Sequence, residues 1–425
     1  MPLSQAVSSA ILPRMKHFPT LRSLAVSVSL LLLVAVSALA KPVAAPAKAA
    51  TPAYELVLTV PAETDLGVPG VRSPTVVWPE LFDGAKKRID IEQFYLAHEE
   101  GKALEPVLQS LERAAKRGVQ VRVLVEQVFL GQSQPVLDRM KAWPNTETRV
   151  LPWAKVGKGG IIHAKFMIVD SKFAFVGSQN FDWRAISQIH ETGLKIADPE
   201  VVGQVQAVFD FDWSAAALVT EGKTVEPLQQ TPPPARIDRS GWLVASPWAF
   251  VPTGVGDSEG ELVRLIGTAQ KRLQIQVLQY APLRHGNGYY PVIDNALRAA
   301  AARGVQVQLM VSNWNAAKPD IQWLKSLALV PGVEVKMVVI PEMSTGFVPY
   351  SRVVHSKYMV VDGEKLWLGT SNWQGGYLDE SRNLEVVVAD PVLAAQAAAV
   401  HVKLWDSKYA ETLDVMKDYP KARKK

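Results

Sequence analysis

The chain has 425 residues, 48% of them apolar, which is enough to bury one large core or two of ordinary size. It has no cysteine, so disulfides, zinc-thiolate sites, thiol nucleophiles and lipid attachment to an N-terminal cysteine are excluded. The net charge of +5 comes from the ends: 1–40 carry three basic residues, 41–53 two, and 417–425 a net four, leaving 54–416 at −4 and excluding a broad positive coat for duplex nucleic acid.

Residues 1–40 read as an export signal. A basic stretch through Lys16 and Arg22 precedes an apolar run from Ser23 to Val36, and Ala38 and Ala40 occupy the small-residue positions that a signal peptidase needs. An uncleaved anchor is the alternative, because Leu24 to Ala40 is only just shorter than a spanning helix. Either reading predicts an exported protein, periplasmic or secreted in the first case and membrane-anchored in the second. Residues 41–53, rich in Ala and Pro, follow as a flexible spacer.

The body then repeats itself. "KKRIDIEQFYLA" (Lys86–Ala97) matches "QKRLQIQVLQYA" (Gln270–Ala281), and "ERAAKRGVQVRVLV" (Glu112–Val125) matches "RAAAARGVQVQLMV" (Arg298–Val311). Each half predicts a strand, a helix with Ala and Leu at helical spacing, an Arg-Gly stop and a near-continuous apolar strand. That order argues for parallel pairing with both sheet faces covered. Two more strands follow in each half, with turns predicted at Asp170-Ser171 and Asp362-Gly363, and then a final helix. The fold class is therefore a duplicated α/β sandwich with mixed, mostly parallel sheets. Its domains span 54–218 and 241–416, a Pro-rich linker covers 219–240, and a basic tail covers 417–425.

The repeat carries chemistry. "HAKFMIVD" begins at His163 and "HSKYMVVD" at His355, an offset of 192, and each is followed by a Gly and an Asn at matching distances. Alternation along a strand puts His163 and Lys165 on one face. A neutral imidazole can attack phosphorus, and the neighbouring Lys can hold a non-bridging oxygen. Ser178 and Asn180 can reach the same oxygens, as can Ser371 or Thr370 together with Asn372 in the second half. One set offers a nucleophile with no acid for the leaving oxygen, whereas two sets facing each other supply both. Asp170 and Asp362 complete the motifs but lie at the far ends of the strands, the position of supporting residues. The other histidines, at 17, 98, 190, 285 and 401, show no metal-ligand spacing, and His190 is expected at the surface. Tyr95, Phe181, Trp183, Tyr280, Tyr350 and Trp373 flank the motifs as base-stacking rings, as rests for acyl chains, or as core.

The two His-x-Lys-x4-Asp motifs, each followed by Gly-Ser/Thr-x-Asn, resemble the signature of the phospholipase D superfamily over almost the whole chain after residue 40. "NFDWRAISQIHETG" and "VPYSRVVHSKYMVVDGEKLWLGTSNWQGGY" resemble the lysosomal phospholipase D-like 5′-exonuclease group in particular, although that group depends on disulfides that this chain cannot form. The resemblance implies two domains sharing one active site. It implies a metal-free mechanism without cofactor, in which one His becomes a covalent phosphohistidine and the other protonates the leaving group. It assigns His163 and His355 to that pair, with Asp170 and Asp362 completing the catalytic motifs. Lys165, Lys357, Ser178, Asn180, Ser371 and Asn372 would bind phosphate, and Glu191 and Glu385 would orient the imidazoles. The implied substrate is single-stranded nucleic acid or, alternatively, a phospholipid, with the basic tail a candidate for contact with a membrane surface.

Overall fold

The structure, a computed structural model, describes residues 52–157, 159–230, 239–284 and 288–424. The predicted export signal, most of the predicted spacer and part of the Pro-rich linker lie outside the described residues. Each half of the body builds one sheet. In the first the order is Tyr54–Thr59, Glu191–Ile196, Phe173–Gly177, Lys165–Val169, Arg88–Gln93, Gln120–Glu126 and Thr146–Leu151. The second repeats this order with Gly241–Ser246, Asn383–Val388, Lys365–Gly369, Tyr358–Val361, Arg272–Val277, Gln306–Ser312 and Val333–Val338, adding a short strand at either edge.

The sheets are mixed, with a balance opposite to the predicted parallel majority. In the first, four of the six pairings are antiparallel and two are parallel. The strand–helix–strand segments supply only the parallel pairs, because a two-residue turn can join nothing but antiparallel neighbours. Such turns occur where predicted: Asp170 and Ser171 have φ of 54° and 53°, and Asp362 and Gly363 have 54° and 74°. The Arg-Gly stops also form, with Gly118 at φ 94° and Gly304 at φ 91° ending helices Glu105–Lys116 and Val292–Ala302.

Alternation along the strands sends side chains into different cores. Phe166 and Ile168 face a central core shared by both halves, which includes Leu243, Val360 and Leu368 and the helices Pro199–Thr220 and Pro391–Trp405. Met167 and Val169 face an outer core under helices Pro74–Gly84, Glu105–Lys116 and Leu130–Lys141. Met359 and Val361 face the corresponding outer core of the second half. Both central helices start alike, with Pro at the first position and the Asp198 or Asp390 carboxylate accepting from the exposed amides of the first turn.

The halves also join through backbone. His163 N donates to Arg382 O at 2.9 Å and Arg382 N to Ile161 O at 2.9 Å. The two-fold mate is complete, with His355 N donating to His190 O at 2.8 Å and His190 N to Val353 O at 3.0 Å. Arg382 is fully buried, ion-paired to Asp212 at 2.9 Å, and donates to the carbonyls of Ser246 and Phe250. An unpaired charge at that depth would cost several kcal/mol, so this pairing fixes the segment against which His163 docks.

Candidate active site

Both imidazoles sit where the two halves meet, beyond the C-terminal ends of the parallel strands. His163 precedes its strand rather than lying on it, because Ile161 and His163 spend backbone bonds on the other half. Glu126, the last residue of its strand, secures the approach by accepting from Ile162 N at 2.7 Å. His163 is 4% exposed and the His355 side chain 12%. Lys165 and Lys357 are buried, and each ammonium donates to the carbonyl of the His two residues before it.

Each ring is held by a residue from the opposite half. His355 Nδ1 lies 2.8 Å from a Glu191 carboxylate oxygen. His163 Nδ1 lies 3.0 Å from Asn383 Oδ1. The expected His-orienting role of Glu385 is thus corrected: it is fully buried and engaged by Ser258 and by the Ser371 hydroxyl at 2.5 Å. The residue in Glu191's place is found by adding the repeat offset of 192 to 191, which gives Asn383. Close sheet packing makes the substitution visible. A Cβ on Gly369 would fall 2.3 Å from Leu384 O, and one on Gly177 would fall 2.8 Å from Gly193 Cα. With Gly there, the Thr370 hydroxyl reaches Asn383 Oδ1 at 2.8 Å, while Ser178 packs beside Thr192, the residue after Glu191.

Charge is unevenly divided between the rings. Burial, then Lys165 and Lys357, drive the His163 pKa well below the usual 6.5. Burial and the same lysines push His355 down as well. Burial lifts Glu191 to about 8, against the opposing pull of Lys357, Ser178 and Lys165. Lys357 is lowered to about 7, again by burial. The Glu191–His355 pair can share a proton, whereas the amide facing His163 cannot carry one.

The remaining expected residues divide. Asn180 and Asn372 are buried, and among the described residues their amide oxygens have no hydrogen-bond partner, while the Asn372 side chain also meets the Tyr377 hydroxyl. Ser178 and Ser371 have their hydroxyls engaged internally, by the Thr192 backbone and Glu385 respectively, which corrects their assignment to phosphate. Asp170 and Asp362 are corrected too. Their carboxylates accept from the amides of residues 86–88 and 270–272 at 2.7–3.0 Å, at the opposite ends of strands of five and four residues. At about 3.3 Å per residue those strands separate them from the imidazoles by roughly 13–16 Å. They staple the hairpin to its neighbouring strand. His190, expected at the surface, is fully buried because its backbone bridges the halves, and its Nδ1 pairs with Gln276 at 3.0 Å.

Of the aromatic residues, Phe181, Tyr280 and Trp373 belong to the core. The rings beside His163 are Phe94, with centroids 5.2 Å apart, and Tyr377, at 4.9 Å. Phe129 packs on Phe94 at 4.6 Å and is 37% exposed, and the Lys165 ammonium lies 5.0 Å from the Phe94 ring. The position of Phe94, directly after the first strand of the repeat, was the available sequence signal.

The family model described as "Cardiolipin synthase, PLD-like domain" matches residues 79–213 and again 262–405. The chain is 33% identical to "Phospholipase D Z" of Dictyostelium discoideum, covering 78% of this chain and 85% of that protein. It is 28% identical to "5'-3' exonuclease PLD3" of Pongo abelii, covering 82% and 78% respectively. Among solved structures, phosphatidylserine synthase of Haemophilus influenzae shares the fold at a TM-score of 0.59 and 13% identity, over 80% of this chain and 85% of that one. A repeated family model, matching relatives and paired His-x-Lys motifs together place the chain in the phospholipase D superfamily, as a phosphodiesterase.

Proposed function

We propose that the protein cleaves phosphodiesters in two steps without a metal, with His163 as nucleophile and His355 first as general acid and then as general base. Asn383 carries this reading. Its Nδ2 donates to Tyr377 O at 2.8 Å, and a carbonyl can only accept, so the amide cannot be reversed. Its Oδ1 accepts the Thr370 hydroxyl and therefore faces His163 as an acceptor. His163 is held as the Nδ1–H tautomer, and the lone pair of Nε2 is bare. On the other side, the proton shared by Glu191 and His355 persists up to about pH 8. Whichever partner holds that proton, His355 Nε2 keeps its N–H.

In the first step a bond forms from His163 Nε2 to phosphorus, and the bond to the leaving oxygen breaks. That oxygen takes the proton of His355 Nε2 and departs as an alcohol. Water then attacks phosphorus, gives its proton to His355, and releases His163 neutral. The anionic diester restores positive charge to Lys165 and Lys357, which burial depresses in its absence. Asn180 and Asn372 hold the non-bridging oxygens.

The substrate is single-stranded nucleic acid. Supporting this are the aromatic rings Phe94 and Phe129 beside His163, with the Lys165 ammonium against Phe94, and similarity to a protein named as a 5′-3′ exonuclease. A phospholipid head-group diester is the second reading, favoured by the name of the Dictyostelium relative. Protein lacking residues 1–40 is offered single-stranded DNA with a 5′-hydroxyl and, separately, phosphatidylcholine, with EDTA present, beside His163→Ala. DNA cleavage lost in the variant is expected. Choline release alone would replace the nuclease reading with the lipid one, and chelator-sensitive activity would overturn the mechanism. We further propose export of the chain, tested by locating the mature N-terminus in cell fractions; a full-length cytoplasmic product would refute it.

A further inference from the structure

The basic tail is part of the fold. Leu413 is buried in the outer core of the second half and Tyr419 packs against it. Lys325 Nζ donates to Lys417 O at 2.6 Å, and Tyr350 N donates to Lys424 O at 3.0 Å. Between the tail and helix Asp320–Ala328 lies an open cavity of about 580 Å³ whose wall includes Lys318, Lys325 and Lys421, with Asp418 the acidic residue of its lining. Lys424, under the influence of Asp320 and Lys421, lies 4.6 Å from the Trp314 ring, and Arg423 lies 3.8 Å from the Phe347 ring.

This patch is joined to the catalytic centre through buried residues. Trp314 meets Tyr350 edge to face, with centroids 6.4 Å apart, and Tyr350 is 41% exposed. Trp314 also packs on the cluster of Ile189, Leu278 and Val353, and Val353 O accepts from His190 N, whose carbonyl holds His355. Trp314 and Tyr350 thus lie one buried layer from His355, with Lys424 and a cavity with three lysines beyond them. The cations named here, Lys318, Lys325, Lys421, Arg423 and Lys424, exceed the acids, Asp320 and Asp418, by three.

We infer that this track binds the backbone phosphates of a single-stranded nucleic acid several nucleotides from the scissile bond, with the exposed Tyr350 ring stacking a base on the way. The inference rests on the nucleic-acid reading of the active site and extends it to substrate length. A stacking ring followed by spaced cations matches a polyanionic strand, whereas a head group would fill only one end of the track.

The test is binding by the full chain carrying His163→Ala, with and without Lys421→Gln and Lys424→Gln. Probes are fluorescent oligothymidylates of about 3 and about 20 nucleotides over a salt series, and phosphatidylglycerol vesicles. Each phosphate neutralised on a single strand contributes a salt slope of about 0.7, or roughly fivefold in affinity near 0.1 M salt. The double variant is expected to bind the long probe about 25-fold more weakly, to lose about 1.4 from its slope, and to bind the short probe unchanged. With the native His163 restored, the double variant should hydrolyse a chromogenic diester at the unmodified rate, which verifies folding. Equal affinity for the long probe, an equal loss for both probes, or a loss confined to vesicles would each overturn the inference. Failure of the unmodified enzyme to cleave DNA would sink the substrate reading instead, and the binding series reports independently of it.

Discussion

Replacing Glu191 with Gln separates the roles of the two imidazoles. In the native protein Glu191, lifted to about 8 by burial, keeps its pair with His355 loaded with a proton. At pH 7 that corresponds to about ten loaded molecules for each empty one. Gln offers hydrogen bonds of the same length but no titrating group. His355 then depends on its own pKa, which burial and the two lysines drive well below 6.5. Even at 6.5 only about a quarter of molecules would hold the proton at pH 7, and the lowered value leaves far fewer. General acid catalysis supplies about 10²- to 10⁴-fold, so hydrolysis of a diester with an alkoxide leaving group should fall by about 10²-fold or more at pH 7. A nitrophenolate leaves without a proton, so its first-turnover burst should change by less than about threefold. The assay compares stopped-flow bursts for the chromogenic diester with single-turnover cleavage of an oligonucleotide. The native rate should decline as pH rises through about 8, and the variant's decline should begin at lower pH. Equal losses on both leaving groups would refute the assignment of His355 as the acid.

Asn383→Asp places a carboxylate on His163 and favours its imidazolium. The rate at pH 6 should drop about tenfold or more and recover at higher pH, read as a new acidic limb in the pH–rate profile. Asp170→Ala removes an acceptor of three backbone amides and puts Ala at φ 54°. A stability loss of about 2 kcal/mol by urea unfolding is expected, with single-turnover rates within about threefold; a catalytic collapse in folded protein would restore Asp170 to the chemistry. Burial raises Glu385 from 4.5 to about 7, so the folded protein keeps a proton that the unfolded chain releases. This favours folding fully below pH 4.5, and the advantage is lost as pH rises to about 7, by about 3 kcal/mol. Glu385→Gln should therefore narrow the difference in Tm between pH 5 and pH 8; an unchanged difference would show that Glu385 is ionised in the folded protein.

The repeat made the site legible. An offset of 192 brings His163, Lys165 and Asn180 into line with His355, Lys357 and Asn372, and local strand and turn chemistry places each set at the end of a sheet. The same offset also encoded Asn383, but reading by residue type led to Glu385, because a carboxylate was sought where an amide stands. The asymmetry between the rings depends on that difference. Asp170 and Asp362 close the catalytic motif by resemblance, but their place at the far strand ends already pointed to support, and φ near 54° suits Asp in a tight turn whose side chain caps the nearest amides. The buried state of His190 and the positions of Phe94 and Tyr377 depend on contacts between the halves, which periodicity along one strand cannot encode. The antiparallel majority was missed because strand–helix–strand units determine only the neighbours that they connect.

The division of labour between the imidazoles is tested most directly by trapping the intermediate. His355→Ala, mixed with a chromogenic diester and digested for mass spectrometry, should release about one equivalent of nitrophenolate per protein and leave the phosphoryl group on the peptide containing His163. A phosphoryl group on any other residue, or a chromogenic burst that survives His163→Ala, would contradict it.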